Sequence, residues 1–415
     1  MGICGDTRAA RTARDRPGAQ HPAVTGIMRI SHVITTLDPA AGGPPVVATR
    51  LAAALARDGH AVSLVAYESP GKESAVAKLL GGIPGWDRVQ VRTLPWGGRL
   101  ERVLATGARR ALPALLEGCE IVHIHGVWDP ILLAAAGAAR RSGIPYVVTP
   151  HGMLDPWSLS QSRLKKRVAL AVAYRSMLSH AAFLHWLNRD EQTLVEPLRL
   201  GAPGQVIGNG IFAEELADLP PRGAFRAGRP ALGEAPFALF MGRLHHKKGL
   251  DILAGAMRRL GETRPDLHLV VAGPDDGAEA EFRSQVERSG VAARVHVVGP
   301  LYGREKLAAL VDAAVFVLPS RQEGFSIAIT EAMACGVPVV VSDACHFPEV
   351  AEERCGHVVP VDAAATADAL ADVLARPDEA AAMGERGRRL VLARFTWPQV
   401  ARQMTEAYLA CRTKR

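Results

Sequence analysis

Two glutamates stand eight residues apart in the stretch PSRQEGFSIAITEAMACGVPVVVSD, which covers residues 319–343. Glu323 precedes a Gly-Phe-Ser turn, and Glu331 lies inside the apolar segment that follows. On one continuous helix, eight positions would leave the two side chains about 80° apart. With Glu323 in a loop, the two carboxylates can instead lie on either side of a helix N-terminus. That arrangement suits a ligand with hydroxyl groups on both sides of a phosphate, because carboxylates accept hydrogen bonds from hydroxyls and a helix N-terminus attracts anions.

The predicted helix would leave three backbone N–H groups without intrahelical partners, those of Gly324, Phe325 and Ser326. Together with the partial positive charge of the helix end, these groups favour a phosphate. The simpler alternative is that Glu323 is an acid favoured at a helix start and Glu331 is a solvated residue. This stretch alone does not separate the two interpretations.

A second group of charged residues follows another predicted strand, in FALFMGRLHHKKG. Arg243 ends the strand, and Lys247 and Lys248 lie in the turn before the next helix. Cations at the carboxyl end of a strand can neutralise a departing phosphate, although a solvated basic loop would look the same. The turn that carries Glu323 calls for the same anionic ligand, and this agreement favours a binding site.

Several single residues are weaker candidates. Gly42 and Gly43 let the backbone approach a ligand closely, although a glycine pair is usually only a turn. His151 directly follows the strand PYVVTP, but a lone histidine is more often structural than catalytic. His123 and His125 share one face of a strand and could begin a metal site, for which the sequence offers no third ligand at metal spacing.

Three other patterns fit known sites poorly. No zinc spacing relates Cys345, His346, Cys355 and His357. The adjacent pair Asp275–Asp276 is not the DxD pattern of a divalent-ion site. QVIGNGIFA matches GxGxxA, the pattern of a nicotinamide dinucleotide site, at Gly208, Gly210 and Ala213, but Pro220 and Pro221 interrupt the helix that this site needs.

The elements that would position these residues alternate between strand and helix in two separate runs. The first run has apolar strands at 29–35, 61–67, 89–96, 120–126 and 145–152, then AAFLHWLN and QVIGNGI, with a helix at about 100–116. The second has strands at 237–243, 267–273, 294–300, 314–320 and 338–343. Near-continuous apolar strands separated by helices predict parallel sheets covered on both faces. Ligands bind such doubly wound sheets beyond the carboxyl ends of the strands, where the candidate residues lie.

The pattern divides the chain into two Rossmann-like α/β domains, at 28–211 and 236–396. Residues 212–235, rich in Pro, Gly and Ala, are expected to connect them. Residues 1–27 lack periodicity and the apolar core of a signal peptide, so we expect a disordered extension or a mis-assigned start. The helix at 397–415 is expected to cross back to the first domain.

Composition narrows the class of protein. The 415 residues are 48% hydrophobic and 22% charged, which is typical of globular proteins. Six cysteines without a CxxC pair give no disulfide framework and favour the cytoplasm. No run of 18 apolar residues predicts a membrane span. The net charge of +7 suits phosphates or an anionic membrane, whereas 5% aromatic residues without a basic–aromatic stripe argue against nucleic acid.

The segment EGFSIAITEAMACGVPVV resembles the E-x7-E motif of the retaining glycosyltransferases of family 4, which have the GT-B fold of two Rossmann-like domains facing a cleft. MGRLHHKKGLD is similar to that family's Arg/Lys motif, and GGPPVVATRLAAALARDGH to its N-terminal glycine loop. TPHGML and LARFTWPQVA also fit, so the resemblance runs from about Met28 to the end. IGNGI departs from it, since relatives more often have Pro before Asn-Gly, and LHWLNRDEQTLVEPLRL is atypical.

The resemblance implies a role for each matching residue. Glu323 would bind hydroxyl groups of the donor sugar, and Glu331 would bind the ribose. Arg243 and Lys248 would hold the diphosphate together with the N–H groups at the helix start. Lys248 is preferred to Lys247 because the family's lysine directly precedes the glycine.

Three further residues receive less specific roles. The resemblance places His151 at the sugar, on the acceptor side of the cleft. It places Gly43 against the diphosphate or the acceptor. Tyr302, after the strand ending VVGP, could contact the base of the nucleotide.

The implied activity is sugar transfer from a nucleoside diphosphate sugar to a glycan or lipid-linked acceptor, with retention and without a metal or a cofactor. Cell-surface polysaccharide or glycolipid synthesis would use such an enzyme. The alternatives are another GT-B enzyme, such as an epimerase or phosphorylase, and a non-catalytic sugar-nucleotide-binding subunit. The intact motif residues argue against the latter. No residue identifies the nucleotide, the sugar or the acceptor.

A basic helix is predicted at about 163–179, and a membrane contact depends on it. VALAVAY accompanies five basic residues on this segment: Arg163, Lys165, Lys166, Arg167 and Arg175. A basic amphipathic helix can lie on an anionic membrane, which would place the protein peripherally at the inner face. The alternative is an ordinary helix whose apolar side faces the core.

Overall fold

The computed structural model describes residues 26–38 and 41–412, which form two parallel sheets with helices on both faces. Predictions for residues 1–25 and 413–415 lie outside the described residues. No helix within the described ranges is long and apolar enough to cross a membrane.

The first sheet has seven strands in the order β3-β2-β1-β4-β5-β6-β7, and neighbouring strands pair in parallel. The strands are β1 Arg29–Thr36, β2 Ala61–Tyr67, β3 Gln90–Leu94, β4 Ile121–His125, β5 Tyr146–Thr149, β6 Phe183–Trp186 and β7 Gly204–Val206. The helices are α1 Gly43–Arg57, α2 Glu73–Gly81, α3 Arg99–Leu104, α4 Thr106–Leu115, α5 Pro130–Arg141, α6 Pro156–Ser160, α7 Arg163–Ala169, α8 Arg175–Ser179 and α9 Arg189–Val195.

The second sheet has six strands in the order β10-β9-β8-β11-β12-β13, also parallel. The strands are β8 Phe237–Met241, β9 His268–Ala272, β10 Val295–Gly299, β11 Val315–Leu318, β12 Val339–Ser342 and β13 Gly356–Val359. The helices are α10 Ala224–Ala227, α11 Leu250–Thr263, α12 Glu279–Arg288, α13 Gly303–Asp312, α14 Ile327–Ala334, α15 Glu349–Glu352, α16 Ala363–Ala375, α17 Pro377–Arg394 and α18 Trp397–Arg412.

Burial explains why these short apolar runs become strands. Every residue of β4, β5, β8, β11 and β12 is buried, as expected for parallel strands with helices on both faces. The order of strands reverses in the middle of each sheet, between β1 and β4 and between β8 and β11. The loops that leave adjacent strands at such a point separate and form a crevice. The prediction of two doubly wound α/β domains is confirmed.

The chain between the domains and its last helix both pack tightly. Phe225 and Leu232 are buried in the core of the second domain. α18 packs against α1, and its Trp397, Met404 and Tyr408 are buried in the core of the first domain. The chain therefore crosses between the two domains twice. Ile211 and Thr396 form a parallel bridge where the two crossings meet.

The structure differs from the prediction at two elements. The single helix expected at about 100–116 is two helices, α3 and α4, because Ala105 between them adopts a left-handed conformation with φ 51°. The strand β13 was not predicted. Its four residues, GHVV, are too short and too polar at His357 to give an apolar run of their own.

Candidate active site

The loops after β8 and β11 lie side by side at the switch point of the second sheet, and each supplies one half of an ion pair. Lys248 Nζ lies 2.6 Å from Glu323 Oε1, and the hydroxyl of Ser320 donates to the same oxygen at 2.5 Å. Only 16% of the lysine side chain and 8% of the glutamate side chain are exposed. Burial raises the pKa of Glu323, but the Lys248 ammonium, the Ser320 hydroxyl and the charge of Lys247 together outweigh burial and hold that pKa below its ordinary value.

Several hydrogen-bonding groups at this point have no protein partner. Among the described residues, no group donates to Glu323 Oε2, and no atom accepts from the backbone N–H groups of Gly324, Phe325 and Ser326. These N–H groups directly precede α14, whose dipole places partial positive charge there. The site therefore offers an acceptor beside a cluster of donors, which suits a ligand with both hydroxyl and phosphate groups.

Arg243 and Lys247 place positive charge on the cleft side of the loop after β8. Arg243 Nη1 lies 2.7 Å from Asp276 Oδ2 in a half-exposed pair. Lys247 Nζ lies 5.3 Å from the ring centroid of Trp157, which belongs to the first domain. A Cβ atom added at Gly42 would lie 3.9 Å from Arg243 Nη2, so the glycine turn of the first domain approaches Arg243.

Glu331 lies further along α14, inside the helix, as predicted. Its Oε1 is 2.7 Å from Lys306 Nζ, on the first turn of α13, and the glutamate side chain is 14% exposed. Tyr302 directly precedes α13 and is 66% exposed. Glu331, Lys306 and the exposed ring of Tyr302 thus lie on adjacent elements beyond β10 and β11.

His151 follows β5 in the first domain, in the left-handed conformation with φ 55°, and Gly152 after it has φ 71°. Its Nε2 lies 3.2 Å from His125 Nδ1. Burial lowers the pKa of His151 to about 3, so the ring is neutral near pH 7. The N–H of Gly152 donates to Glu191 Oε1 at 2.6 Å, and burial raises the pKa of Glu191 to about 7.

Direct contacts bring the two domains together around these loops. Asn188 Nδ2 donates to the carbonyl oxygen of Gly324 at 2.5 Å, and Gln322 Nε2 donates to Asp155 Oδ2. A Cβ atom added at Gly152 would lie 3.3 Å from Gly324 Cα. His151 and the start of α14 consequently face each other across a narrow cleft.

Comparison with known proteins decides the family. The model of the family "Glycosyl transferase 4-like domain" matches residues 42–210, and that of "Glycosyl transferases group 1" matches residues 222–390. An alpha-maltose-1-phosphate synthase of Mycolicibacterium smegmatis is 31% identical over 312 residues, covering 70% of this chain and 79% of the relative. The chain belongs to the glycosyltransferases of the GT-B fold. A phosphatidyl-myo-inositol mannosyltransferase of Mycobacterium leprae is 30% identical, covering 76% of this chain and 80% of the relative.

A solved structure agrees on the fold of this glycosyltransferase. Alr3699/HepE of Anabaena, solved in complex with UDP-glucose, superposes with a TM-score of 0.73 at 19% identity. The alignment covers 92% of this chain and all of that one. At this identity the likeness establishes the shared GT-B architecture.

The glycosyltransferase brings most of the predicted residues to its cleft. Lys248 and Glu323 meet on adjacent loops, Arg243 lies on the same loop as Lys248, and His151 lies opposite them. Gly43 begins α1, where a Cβ atom would meet nothing within 4 Å, so the position is open. Its role stays a prediction.

The weaker candidates separate in the structure. Cys345 Sγ donates to the carbonyl of Leu318 and Cys355 Sγ to that of Glu353, so these thiols form no common site. Gly210 packs against the backbone of Thr396 and Trp397, and no α-helix directly follows it, which excludes the dinucleotide pattern. The pair His123 and His125, in contrast, gains a third histidine, His32 on β1.

Sequence reasoning missed the residues that hold the predicted ones in place. Ser320 and Lys306 bind the two glutamates, Asp276 binds Arg243, and Asn188 binds the carbonyl of Gly324. Ser320 could have been found, because it ends a predicted strand three residues before Glu323. The other partners come from elements whose position depends on strand order or on the docking of the domains.

Proposed function

We propose that this glycosyltransferase is a retaining enzyme of family 4 that transfers a sugar from a nucleoside diphosphate sugar to a glycan or lipid-linked acceptor. The observation that carries the proposal is the buried Lys248–Glu323 pair at the start of α14, with Arg243 on the same loop as Lys248. A diphosphate in this position would accept from Lys248, from Arg243 and from the free N–H groups of the helix start. Alr3699/HepE, whose fold is shared, was solved with UDP-glucose, which supports a nucleotide sugar as donor.

The other groups of the site receive roles that fit this donor. Glu323 Oε2, which has no protein donor in the described part of the chain, would accept from a sugar hydroxyl. Glu331 would bind the ribose, with Lys306 holding its carboxylate in place. His151 would contact the sugar from the acceptor side, and Gly43 would lie against the diphosphate or the acceptor.

The chemical step must stabilise a departing nucleoside diphosphate while the sugar develops oxocarbenium character. Arg243, Lys248 and the start of α14 place positive charge where the negative charge grows, and these groups could supply this stabilisation without a metal. We propose front-face attack in which the leaving phosphate takes the proton of the acceptor. A double displacement would need a free carboxylate below the anomeric carbon. The acids beside His151, Asp155 and Glu191, each have both oxygens engaged in hydrogen bonds.

The assignment can be tested by donor turnover. A screen of UDP-, GDP- and ADP-sugars for binding or slow hydrolysis would first identify the donor. Arg243→Ala and Glu331→Ala should then each lower turnover by about 100-fold, the usual effect of removing a group that stabilises the transition state or orients the substrate. Arg264→Ala is the control, because Arg264 pairs with Asp266 before β9, at the opposite edge of the sheet. Near wild-type turnover in both site variants would contradict the assignment.

We further propose that the enzyme acts at the inner face of a membrane. α7 and the π-helical segment Leu170–Tyr174 that follows it carry an exposed apolar stripe, Leu164, Val168 and Val172, with exposures of 76%, 55% and 81%. Three exposed residues of α3 extend it: Leu100, Val103 and Leu104. We call these six residues the apolar patch. Together with residues of α4 and α5, these segments line a groove of about 650 Å³.

The charges around the apolar patch fit an anionic surface. Arg163, Lys165 and Arg167 are exposed, and no acid pairs with them among the described residues. Two other basic residues are used internally, since Lys166 donates to the carbonyl of Ser158 and Arg175 to that of Leu198. The same segment has a second apolar face, which is buried against the core. Packing against the core therefore explains that face but does not explain the exposed stripe. Apolar side chains surrounded by free cations are typical of peripheral membrane binding.

Flotation with liposomes tests this contact. The protein should float with vesicles that contain anionic lipid, less so at high salt, and not with zwitterionic vesicles. Leu164→Ser combined with Val168→Ser should abolish flotation. Leu392→Ser, an exposed leucine on α17 of the second domain, should leave it unchanged. Equal recovery of both variants with anionic vesicles would contradict the membrane contact.

A further inference from the structure

Five buried or half-buried histidines form a polar network inside the first domain. Adjacent strands β1, β4, β5 and β6 carry or closely precede them: His32, His123, His125, His151 and His185. The network has two hydrogen-bonded branches, one ending at α18 and the other at the cleft, which touch through the stacked rings of His123 and His125. Because each neutral imidazole carries one proton, the hydrogen bonds constrain where every proton lies.

The branch through His185 is fully determined. His185 Nε2 lies 2.7 Å from the carbonyl oxygen of Ile207, which can only accept, so Nε2 carries the proton. His185 Nδ1 then accepts from Thr149 Oγ1 at 2.8 Å, and Thr149 accepts in turn from His123 Nε2 at 2.6 Å. His123 Nδ1 is left to accept from the hydroxyl of Tyr408 at 2.6 Å.

This assignment argues against a metal site. One ring nitrogen from each of His32, His123 and His125 lies within 4.8 Å of the others, a grouping that could hold a metal ion. Metal ligation requires a free lone pair on each nitrogen. The only lone pair of His123 is already occupied by Tyr408, so the three rings do not offer three free ligands.

The branch through His125 has two possible states, and its single proton selects between them. His125 Nδ1 lies 3.2 Å from His151 Nε2, and His125 Nε2 lies 2.9 Å from His32 Nδ1. If His125 donates from Nδ1, His151 accepts at Nε2 and must carry its own proton on Nδ1. If His125 donates from Nε2, His151 must donate from Nε2 and leave Nδ1 bare. The tautomers of His32 and His151 therefore change together.

The inner end of this branch, at His32, favours the first state, in which His125 donates from Nδ1. His32 Nε2 is buried and has no partner within the part of the chain that the structure describes. In the first state this atom is a bare acceptor, and in the second it is an N–H donor without an acceptor. Proteins leave a buried acceptor unpaired more readily than a buried donor. At the other end, His151 Nδ1 has no protein partner among the described residues and is not enclosed by them.

We propose that His32 and His125 are positioning residues that hold His151 in the tautomer protonated on Nδ1, so that the ring faces the donor sugar as a hydrogen-bond donor. The proposal rests on the function proposed above only for the identity of the group that receives this bond. A sugar oxygen is the acceptor that the assigned position of His151 offers. The desolvated network also keeps the ring neutral, so that it donates through one nitrogen only.

Nitrogen NMR tests the tautomer without any substrate. The full-length, ligand-free protein is labelled with ¹⁵N in its histidines and examined near neutral pH. We expect the signals of His151, identified by their loss in His151→Asn, to show a proton on Nδ1 and none on Nε2. A proton on Nε2, or on both nitrogens, would overturn the proposal. So would a metal ion retained by the purified protein after dialysis against a chelator. These outcomes do not depend on whether the protein transfers sugar.

Two variants at one position test the role in catalysis. His125→Asn keeps an amide N–H where the imidazole Nδ1–H was, and His125→Leu removes it. His125→Leu should lower kcat/KM by about tenfold, equivalent to one lost hydrogen bond, and should let His151 populate the other tautomer. His125→Asn should recover most of the lost kcat/KM and return His151 mostly to the tautomer protonated on Nδ1. If the two variants fold and have the same kcat/KM and the same His151 tautomer, the positioning role is wrong.

Discussion

At the scale of single residues, the buried pair Lys248 and Glu323 is the most consequential contact of the site. Two charges with little exposure cost solvation energy that their attraction repays only in part. A pair of this kind contributes little to stability. In the proposed mechanism a diphosphate would take over the lysine, which is already in place and desolvated before the ligand arrives.

Variants that break the pair should separate its two roles. Glu323→Gln leaves the lysine charge unpaired in a buried position, and we expect it to lower the free energy of unfolding by about 3–5 kcal/mol. Adding Lys248→Met should restore most of that stability, because no charge then remains. Neither variant should retain activity. Urea unfolding and donor turnover measure the two quantities, and an active double variant would contradict the assigned roles.

A glycine between Lys248 and α11 makes the loop after β8 possible. Gly249 has φ 73°, and a Cβ atom there would lie 2.1 Å from the carbonyl oxygen of Pro319, at the end of β11. Gly290 has φ 69°, but a Cβ atom there would meet nothing within 4 Å. Alanine at either position would be strained by the left-handed conformation. Only alanine at position 249 would also clash with the carbonyl oxygen of Pro319.

We therefore expect Gly290→Ala to lower the free energy of unfolding by about 1–2 kcal/mol. Gly249→Ala should cost several kcal/mol more and should impair donor binding, because the loops that carry Lys248 and Glu323 must move apart. Urea unfolding compares the two variants directly. Equal losses would mean that the close approach to Pro319 is not required.

The sequence predicted the charged residues of the site but not their partners. Glu323, Arg243 and Lys248 follow strands that are obvious from their apolar runs, and the motif fixes their spacing. Lys306 could not be assigned to Glu331, because that contact depends on the strand order that places α13 beside α14. His32 was likewise invisible, since its register with His123 exists only once β1 pairs with β4.

At the scale of elements, the sequence predicted strands well and their terminations less well. The apolar runs gave β2 and most of the core strands, because parallel strands buried on both faces have a continuous signal. The break at Ala105 escaped notice, since alanine is a strong helix former and its left-handed conformation is set by its neighbours. The short strand β13 escaped because four residues carry too little periodicity.

Helix α18 belongs to the second half of the sequence but is anchored in the first domain, and Tyr408 provides its polar anchor. The hydroxyl donates to His123 Nδ1 at 2.6 Å within the buried core. Tyr408→Phe should lower the free energy of unfolding by about 1–3 kcal/mol, because the buried nitrogen loses its only donor. Tyr302→Phe, at an exposed position, should have no effect. If both variants unfold at the same urea concentration, the hydrogen bond between Tyr408 and His123 does not anchor α18.

At the scale of the whole molecule, the buried histidines make stability depend on pH. In the unfolded chain a histidine has a pKa near 6.5. In the folded protein, burial lowers the pKa of His32 and His151 to about 3 and that of His185 to about 4, and holds those of His123 and His125 well below the ordinary value. Between these limits the unfolded chain binds more protons than the folded protein. Stability is therefore complete above pH 6.5 and is lost as the pH falls below it.

One carboxyl acts in the opposite direction. Burial raises the pKa of Glu191 to about 7, so the folded protein holds a proton there that the unfolded chain releases above about pH 4.5. This group alone would make the protein less stable as the pH rises through that window. Since each titrating group changes the free energy of unfolding by about 1.4 kcal/mol per pH unit, several histidines outweigh a single glutamate.

We expect the free energy of unfolding to be several kcal/mol lower at about pH 5.5 than at about pH 7.5, and unfolding at the lower pH to take up protons. Urea titrations at a series of pH values, with calorimetry for the proton uptake, measure both. Glu191→Gln should steepen the loss on acidification, because the carboxyl that opposes the histidines is then replaced by an amide that does not titrate. A stability that stays level between these pH values, or unfolding that releases protons, would mean that the histidine network is charged or open to water rather than neutral and buried.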